Sequence, residues 1–168
     1  LSLGLVLISC LAQSQWKFLH KLVIGLLVLM YVLNRIGGFF RLNTLADLDS
    51  VYNRIIVRKA TDEQSIKLVV MSTDNSGIQS AIQPDSPNDL YFGYTQAYRL
   101  ADLINKNVKR ALTIGGGGFS YPRDYLLTHP SGEMDVVEID PEMTLLAQKY
   151  FFLADDPRLR IFHQDARL

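Results

Sequence analysis

The residues between 110 and 163 alternate between apolar runs and helical segments, and this alternation constrains the fold more than any other feature of the sequence. Runs rich in Leu, Ile and Val predict strands at RALTIG (110–115), MDVVEI (134–139) and LRIFH (159–163). The segments between them predict helices at YPRDYLLTH (121–129) and PEMTLLAQKYFF (141–152). Strands that alternate with helices of this length predict a parallel α/β sheet with right-handed crossovers.

Four consecutive glycines, Gly115 to Gly118, lie between the first of these strands and the first helix. A glycine turn at this place in a parallel α/β sheet lets a nucleotide-type ligand approach the backbone closely. We therefore predict that Gly115, Gly116 and Gly117 bind a cofactor. The G-x-G-x-x-G pattern of dinucleotide sites is not met, because Ser120 occupies the place of its third glycine, and this disfavours NAD.

An acidic residue follows the second strand at the distance that a nucleoside site requires. Glu138 lies 21 residues after Gly117, and at the end of its strand it can hold ribose hydroxyls. The surrounding sequence VVEIDPE suits the nucleoside pocket of S-adenosylmethionine enzymes. Asp165, just past the third strand, is placed to meet the adenine edge. The alternatives are a tight turn with a solvated Glu138, and a surface turn that contains Asp165.

The residues before this sheet predict a small antiparallel β region. YNRIIVRK (52–59) and IKLVVMST (66–73) flank a polar turn and are typical of a hairpin, and SGIQSAI (76–82) predicts a third short strand. Asp89 is expected to cap a helix whose apolar residues fall at helical spacings, namely Leu90, Ala97, Leu100, Ala101 and Ile104.

The first 40 residues contain three full charges and no acidic residue. The uncharged runs 1–12 and 22–33 are shorter than the roughly 20 residues of a bilayer span, but a helix over 22–40 would be about 28 Å long. We therefore expect transmembrane helices, a lipid bilayer as partner and an integral membrane protein with its soluble domain in the cytoplasm. A helical hairpin packed in a core is the alternative. Because the chain begins with Leu1 rather than Met, we expect a fragment.

Composition excludes several other classes. The 17 basic and 17 acidic side chains cancel to a net charge of zero without a basic cluster, which argues against nucleic acid as a partner. A single cysteine, Cys10, excludes an internal disulfide framework. The three histidines have no metal-ligand spacing, so we expect no metal.

Six motifs together resemble a known family. They are YNRIIV, NSGIQSA, YFGYTQAYRL, LTIGGGG, DVVEIDPEM and DDPRLRIFHQDAR. In this order and spacing, over about residues 48–168, they resemble the aminopropyltransferases, that is, the spermidine and spermine synthases. The chain most resembles the membrane-fused branch, in which transmembrane helices precede the synthase-like domain. The resemblance implies decarboxylated S-adenosylmethionine or S-adenosylmethionine as the nucleoside co-substrate and a diamine such as putrescine as the acceptor; a homodimer is compatible with it.

The resemblance also implies roles for individual residues. Carried over by position, Gln79 would contact the nucleoside or the amine near the sulfur, and Tyr94 would line the substrate cleft. Glu138 would hold the ribose, and Asp165 would face adenine. Gly118 stands where the family's GGGDGG loop has its Asp.

Other departures concern the polyamine chemistry. Where soluble synthases have Tyr-His-Glu, this chain has Tyr94 followed by Thr95 and Gln96, and two ionisable groups are lost. The family's catalytic Asp would lie beyond Leu168, so no catalytic residue is assigned. Three interpretations follow: an aminopropyltransferase, an S-adenosylmethionine-dependent methyltransferase with another acceptor, and a non-catalytic nucleoside-binding module.

The predicted fold class is α/β, with an incomplete Rossmann-like S-adenosylmethionine-binding fold. A small antiparallel β region and transmembrane helices precede it. The predicted parts are transmembrane helices (1–40), a linker (41–50), a β-hairpin region (51–83) and the nucleoside-binding domain (84–168).

Overall fold

The computed structural model describes residues 20–34, 42–74, 77–105 and 108–167. The chain divides after Leu42 into two compact units.

In the first unit, residues 20–34 are helical and form helix α1. The large apolar side chains of this helix are 43 to 66% exposed. Among the described residues, no helix combines the length and the apolar character that crossing a membrane requires. The rest of the predicted transmembrane segment, residues 1–19 and 35–40, lies outside the described residues.

The second unit contains a four-stranded antiparallel sheet in the order β1-β2-β3-β4. Its strands are β1 (Thr44–Asp49), β2 (Arg54–Thr61), β3 (Lys67–Thr73) and β4 (Gly77–Ile82). The register places Ile56 opposite Ser72, and Val57 opposite Met71. The predicted antiparallel β region is therefore present, with one strand more than the sequence indicates.

That additional strand lies in the segment 41–50, which the sequence suggests is a linker but which instead contains β1. The Arg54 guanidinium donates from Nε and Nη2 to the two carboxylate oxygens of Asp47, both at 2.8 Å. Leu45 and Leu48 pack against the core. The acidic residues of this segment are typical of a linker. The sequence does not show that Asp47 pairs with Arg54, because Arg54 lies on the neighbouring strand.

A three-stranded parallel sheet in the order β5-β6-β7 follows. Its strands are β5 (Arg110–Ile114), β6 (Glu133–Val137) and β7 (Leu159–Phe162), joined by helices α4 (Ser120–Thr128) and α5 (Pro141–Tyr150). The register pairs Ile114 with Val137, and Val137 with Phe162. All three strands therefore end together, and the predicted parallel α/β arrangement is confirmed. This common carboxyl edge is where ligands bind in such sheets.

The helix predicted from Asp89 is shorter and broken. The structure has helix α2 (Gly93–Ala97), a 3₁₀ turn (Tyr98–Leu100) and helix α3 (Ala101–Ile104). The residue before α2 is Phe92, in extended conformation, so the prediction that Asp89 caps a helix is wrong. One reason is that the Gln96 side chain donates to the Leu90 carbonyl at 2.7 Å and stabilises a non-helical approach to α2.

The two sheets share one hydrophobic core. Buried residues of β2, β3 and β4 form a single cluster with buried residues of the parallel sheet, the glycine turn and helices α4 and α5. Val57, Met71, Met134 and Val136 are all fully buried in it. The antiparallel sheet is thus part of the same folding unit as the predicted nucleoside site.

Two adjacent leucines of α5 test this packing. Leu146 is 5% exposed and belongs to the core cluster, whereas Leu145 is 55% exposed. We expect Leu146→Ala to lower the free energy of unfolding by about 2–5 kcal/mol, and Leu145→Ala to change it by less than about 0.5 kcal/mol. Urea denaturation measures both. Equal effects of the two substitutions would contradict the burial of this helix face.

Candidate nucleoside site

The glycine turn begins where β5 ends. Gly115 has φ +86° and Gly117 has φ +52°, values that residues with a side chain rarely adopt. The Gly115 amide donates to the Val137 carbonyl at 2.8 Å and holds the start of the turn against the end of β6. The turn predicted from the sequence therefore needs glycine at two positions for conformational reasons.

The ring of Phe119 packs against this turn, and the sequence does not predict this contact. Phe119 is fully buried, and its φ of 54° is in the left-handed region that is uncommon for a bulky residue. A Cβ atom on Gly116 would come within 2.5 Å of the Phe119 ring. Gly116 is therefore required because the ring packs directly against its backbone.

The Glu138 carboxylate is hydrogen-bonded to the same turn. Its Oε2 accepts from the amide of Gly116 at 2.7 Å and from that of Gly117 at 3.4 Å. Its Oε1 accepts from the Asp140 amide at 3.0 Å, and the residue is 6% exposed. Backbone donors thus fix the carboxylate in one orientation. The structure brings together the glycines and the acid that the sequence pairs.

Asp140 connects Glu138 and the glycine turn to the antiparallel sheet. Its Oδ2 accepts from the Ser50 hydroxyl at 2.5 Å, and its Oδ1 accepts from the Glu142 amide at 3.1 Å as the N-cap of α5. The Ser50 oxygen in turn accepts from the amides of Tyr52 and Asn53, each at 3.0 Å. The turn between β1 and β2 is therefore bonded to the residue that orients Glu138. Ser50 could not be predicted from the sequence, because no local pattern pairs it with a residue 90 positions away.

The packing around Gly118 explains why this chain has glycine where the aminopropyltransferase pattern has Asp. Gly118 is buried, and its amide donates to the Ser80 hydroxyl at 2.8 Å. A Cβ atom there would lie 2.8 Å from Cδ1 of Phe151 and 2.8 Å from Cβ of Ser80. The direction of a side chain at this position is therefore occupied by packed atoms.

A cleft of about 490 Å³ lies beside the turn. It brings together the predicted residues Gln79, Tyr94 and Gly115 to Gly117. The Tyr94 hydroxyl donates to the Gln79 carbonyl at 2.9 Å, and burial raises the pKa of this tyrosine. The Gln79 side-chain amide donates to the Thr73 hydroxyl at 2.8 Å. These contacts hold both predicted substrate residues in the wall of one cleft.

The two predicted acids are not in the described lining of this cleft. Glu138 contacts it only through the amides of Gly116 and Gly117. Asp165 lies past β7, where a hydrogen-bonded ion pair with Arg167 at 2.6 Å lowers the pKa of its carboxyl. The structure therefore joins Glu138 to the glycines and pairs Asp165 with Arg167.

Four aromatic residues line the cleft, and the sequence singles out only one of them, Tyr94. We name Phe92, Tyr94, Tyr98 and Tyr121 the aromatic row. The ring centroids of successive members are 5.6, 6.1 and 5.0 Å apart. These distances are those of interacting aromatic pairs, so the row forms one continuous surface. Tyr98 and Tyr121 were missed because they meet only through the tertiary fold.

In the part of the chain that the structure describes, no group of three or more His, Cys, Asp and Glu side chains could hold a metal ion.

Thr113 lines the cleft, and its hydroxyl oxygen is buried without a hydrogen-bond partner among the described residues. Buried polar atoms normally have a partner, so this hydroxyl is an exception among the described residues.

Comparison with known sequences gives two similar relatives. The polyamine aminopropyltransferase of Vibrio vulnificus strain CMCP6 is 31% identical over 121 residues, which are 71% of this chain and 40% of the relative. That of Chromobacterium violaceum is 30% identical over 99 residues, which are 57% of this chain and 36% of the relative. No model of a protein family matches the sequence. The chain thus spans 40% or less of the length of these curated relatives.

Solved structures give the same fold. A probable spermidine synthase from Corynebacterium glutamicum ATCC 13032 matches 73% of this chain with a TM-score of 0.57 and 22% identity, over 45% of its own length. Spermidine synthase from Thermotoga maritima matches 73% with a TM-score of 0.58 and 24% identity, over 41% of its own length. A spermidine synthase in complex with the transition state analogue AdoDATO matches 71% with a TM-score of 0.56 and 24% identity, over 39% of its own length. These matches confirm the Rossmann-like fold, and together with the curated relatives they support the resemblance to the spermidine synthases.

The packing around Gly118 gives a test of the turn. We expect Gly118→Ala to lower the free energy of unfolding by about 1–3 kcal/mol, because its Cβ would overlap Phe151 and Ser80. Gly93→Ala is the control, because a Cβ atom there meets nothing within 4 Å. Urea denaturation measures both variants. A Gly118→Ala protein as stable as the Gly93→Ala protein would contradict the packing described here.

Proposed function

We propose that this chain forms the nucleoside-binding part of a polyamine aminopropyltransferase and that its co-substrate is decarboxylated S-adenosylmethionine. The observation that supports this most is the bond between the Glu138 carboxylate and the Gly116 amide, 2.7 Å long, at the common carboxyl edge of the parallel strands. A glycine turn joined to an acid at that edge is the arrangement that binds a ribose.

The geometry leaves capacity on Glu138 for such a ligand. A carboxylate offers about four acceptor positions, and three N–H groups use Glu138 here. The bond from Gly117 is long, at 3.4 Å, and is the easiest of the three to exchange. Ribose hydroxyls would therefore donate to the free acceptor position of Glu138 and to the position that the Gly117 amide uses. The rest of the nucleoside would follow the glycine turn into the cleft, where Gln79 and Tyr94 would face its sulfur end.

The comparisons favour aminopropyl transfer among the three interpretations. The curated relatives are polyamine aminopropyltransferases, and one similar spermidine synthase structure contains the transition state analogue AdoDATO. In the proposed reaction, the lone pair of an acceptor amine such as putrescine attacks the methylene beside the sulfonium. The carbon–sulfur bond breaks, its electrons neutralise the sulfur, and the new ammonium releases one proton. Such a displacement depends mainly on positioning of the two reactants.

The proposed role of Asp165 is in binding the adenine. Asp165 follows the third strand of the same edge, and we propose that it meets the adenine. Its carboxylate is paired with Arg167, so adenine binding would require this ion pair to open.

Calorimetric titration tests the proposed function. The ligands are decarboxylated S-adenosylmethionine, S-adenosylmethionine and 5′-methylthioadenosine. We expect Glu138→Gln to weaken binding of the decarboxylated form by about tenfold or more, because one acceptor oxygen is lost and the hydrogen bonds to ionised groups are the stronger ones. Glu133→Gln is the control, because Glu133 lies at the other end of β6 and is 54% exposed.

The outcomes separate the two transferase interpretations and test the nucleoside site itself. Tight binding of the decarboxylated form that only Glu138→Gln weakens supports an aminopropyltransferase. Tight binding of S-adenosylmethionine without the decarboxylated form would replace it with a methyltransferase. Failure of all three ligands to bind the folded full chain would contradict a nucleoside site.

We also propose that the apolar N-terminal segment attaches the protein to a membrane, with residues 43–168 in the cytoplasm. The support is the composition of residues 1–40 and the exposure of the apolar side chains of α1. Membrane fractionation of cells that express the full chain tests this. We expect the chain to remain in the membrane pellet after alkaline carbonate extraction, and its release into the supernatant would contradict the proposal.

A further inference from the structure

The Ser50 hydroxyl uses its full hydrogen-bonding capacity at the turn between β1 and β2. Its oxygen accepts from the amides of Tyr52 and Asn53, each at 3.0 Å. A hydroxyl has two acceptor positions and one proton. Because the two amides occupy the acceptor positions, the proton is donated to the Asp140 carboxylate, whose Oδ2 lies 2.5 Å away. The turn therefore fixes the direction of this bond.

Asp140 connects Ser50 to Glu138. It is 2% exposed, and its carboxylate is bonded on two sides, by the Ser50 hydroxyl at Oδ2 and by the Glu142 amide at Oδ1. These two bonds fix the side chain of Asp140 at the start of α5. The backbone of the same residue donates to Glu138, from the Asp140 amide to Oε1 at 3.0 Å. The Ser50 hydroxyl is thus separated from the Glu138 carboxylate by a single residue.

The turn between β1 and β2 has other bonds that do not involve the Ser50 hydroxyl. The Ser50 amide donates to the Asn53 carbonyl at 2.8 Å, and the Tyr150 hydroxyl donates to the Leu45 carbonyl at 2.8 Å. Apolar packing contributes little at the turn, since Val51 is 94% exposed. We therefore expect a chain without this hydroxyl to keep β1 in the sheet and to lose the contact between the turn and Asp140.

We propose that Ser50 is a positioning residue for nucleoside binding, which fixes Asp140 so that Asp140 holds Glu138 in the orientation that the ribose requires. This inference rests on the proposed function, since it assigns the ribose to Glu138. Without the hydroxyl, the buried Asp140 carboxylate would lack one donor, which is costly for a charged group. Asp140 would turn towards another donor, and its amide would hold Glu138 less firmly. A less ordered carboxylate binds more weakly, because binding must then order it.

Calorimetric titration of the full chain with 5′-methylthioadenosine tests the role of the hydroxyl. We expect Ser50→Ala to weaken binding about five- to tenfold, and Ser50→Thr to retain the affinity within about twofold because Thr keeps a hydroxyl. Ser72→Ala is the matched control and should bind like the parent, because Ser72 is half-buried like Ser50 but lies on β3, outside the described lining of the cleft. Unchanged affinity in Ser50→Ala, or equal losses in Ser50→Ala and Ser50→Thr, would overturn the inference.

A double-mutant cycle separates positioning of Glu138 from a general loss of structure. If Ser50 acts through Glu138, Ser50→Ala should weaken nucleoside binding by less than about twofold in a Glu138→Gln protein, because the carboxylate that Ser50 positions is absent there. A merely structural effect would lower the affinity by the same factor in both backgrounds. Additive losses would therefore contradict the positioning role.

The two proposals fail in different ways. Absence of 5′-methylthioadenosine binding by the parent chain contradicts the proposed function. The effect of Ser50 on Glu138 is still measured without nucleoside, by hydrogen exchange of the Gly116 amide that donates to Glu138. We expect this amide to exchange at least about threefold faster in Ser50→Ala than in Ser72→Ala. Equal exchange rates in the two variants would overturn the inference whether or not the nucleoside binds.

Discussion

The hydrogen bond between the Gly116 amide and the Glu138 carboxylate is the contact on which the candidate site depends. A carboxylate that is almost fully buried is costly unless donors surround it, and three backbone N–H groups do so here. One of these donors belongs to Asp140, whose side chain is bonded to Ser50 at the turn between β1 and β2. The antiparallel sheet therefore contributes to the nucleoside site through this hydrogen bond as well as through Gln79 of β4 in the cleft wall. Loss of these contacts would free both the Glu138 carboxylate and the glycine turn.

Core packing on the opposite side of the turn limits which residues the turn can contain. Phe119 adopts a left-handed conformation so that its ring can fill the space against Gly116. Phe151 and Ser80 occupy the direction in which a side chain at position 118 would extend. The aminopropyltransferase pattern has an Asp at that position, and here a packed interior replaces it. The fold of the turn is thus kept, while the carboxylate of that pattern is absent from it.

Much of the fold could be predicted from the sequence because it depends on local patterns. The apolar runs around Leu112 and Val136 and the proline at the start of α5 identify the parallel strands and helices. The pairing of the glycine turn with Glu138 was also predictable, because the spacing of a strand-helix-strand unit fixes it. β1 was missed because Asp47 gains its partner, Arg54, only across the sheet. Tyr98 and Tyr121 were missed for the same reason, since a contact between distant residues leaves no periodic signal.

The most direct measurement is a crystal structure of the full chain with 5′-methylthioadenosine. We expect a ribose hydroxyl within about 3 Å of a Glu138 carboxylate oxygen, with the thioether end in the cleft beside Tyr94. We also expect the Gly116 amide to remain bonded to Glu138. A nucleoside bound away from Glu138, with the carboxylate still bonded to the turn, would contradict the role of Glu138 in ribose binding.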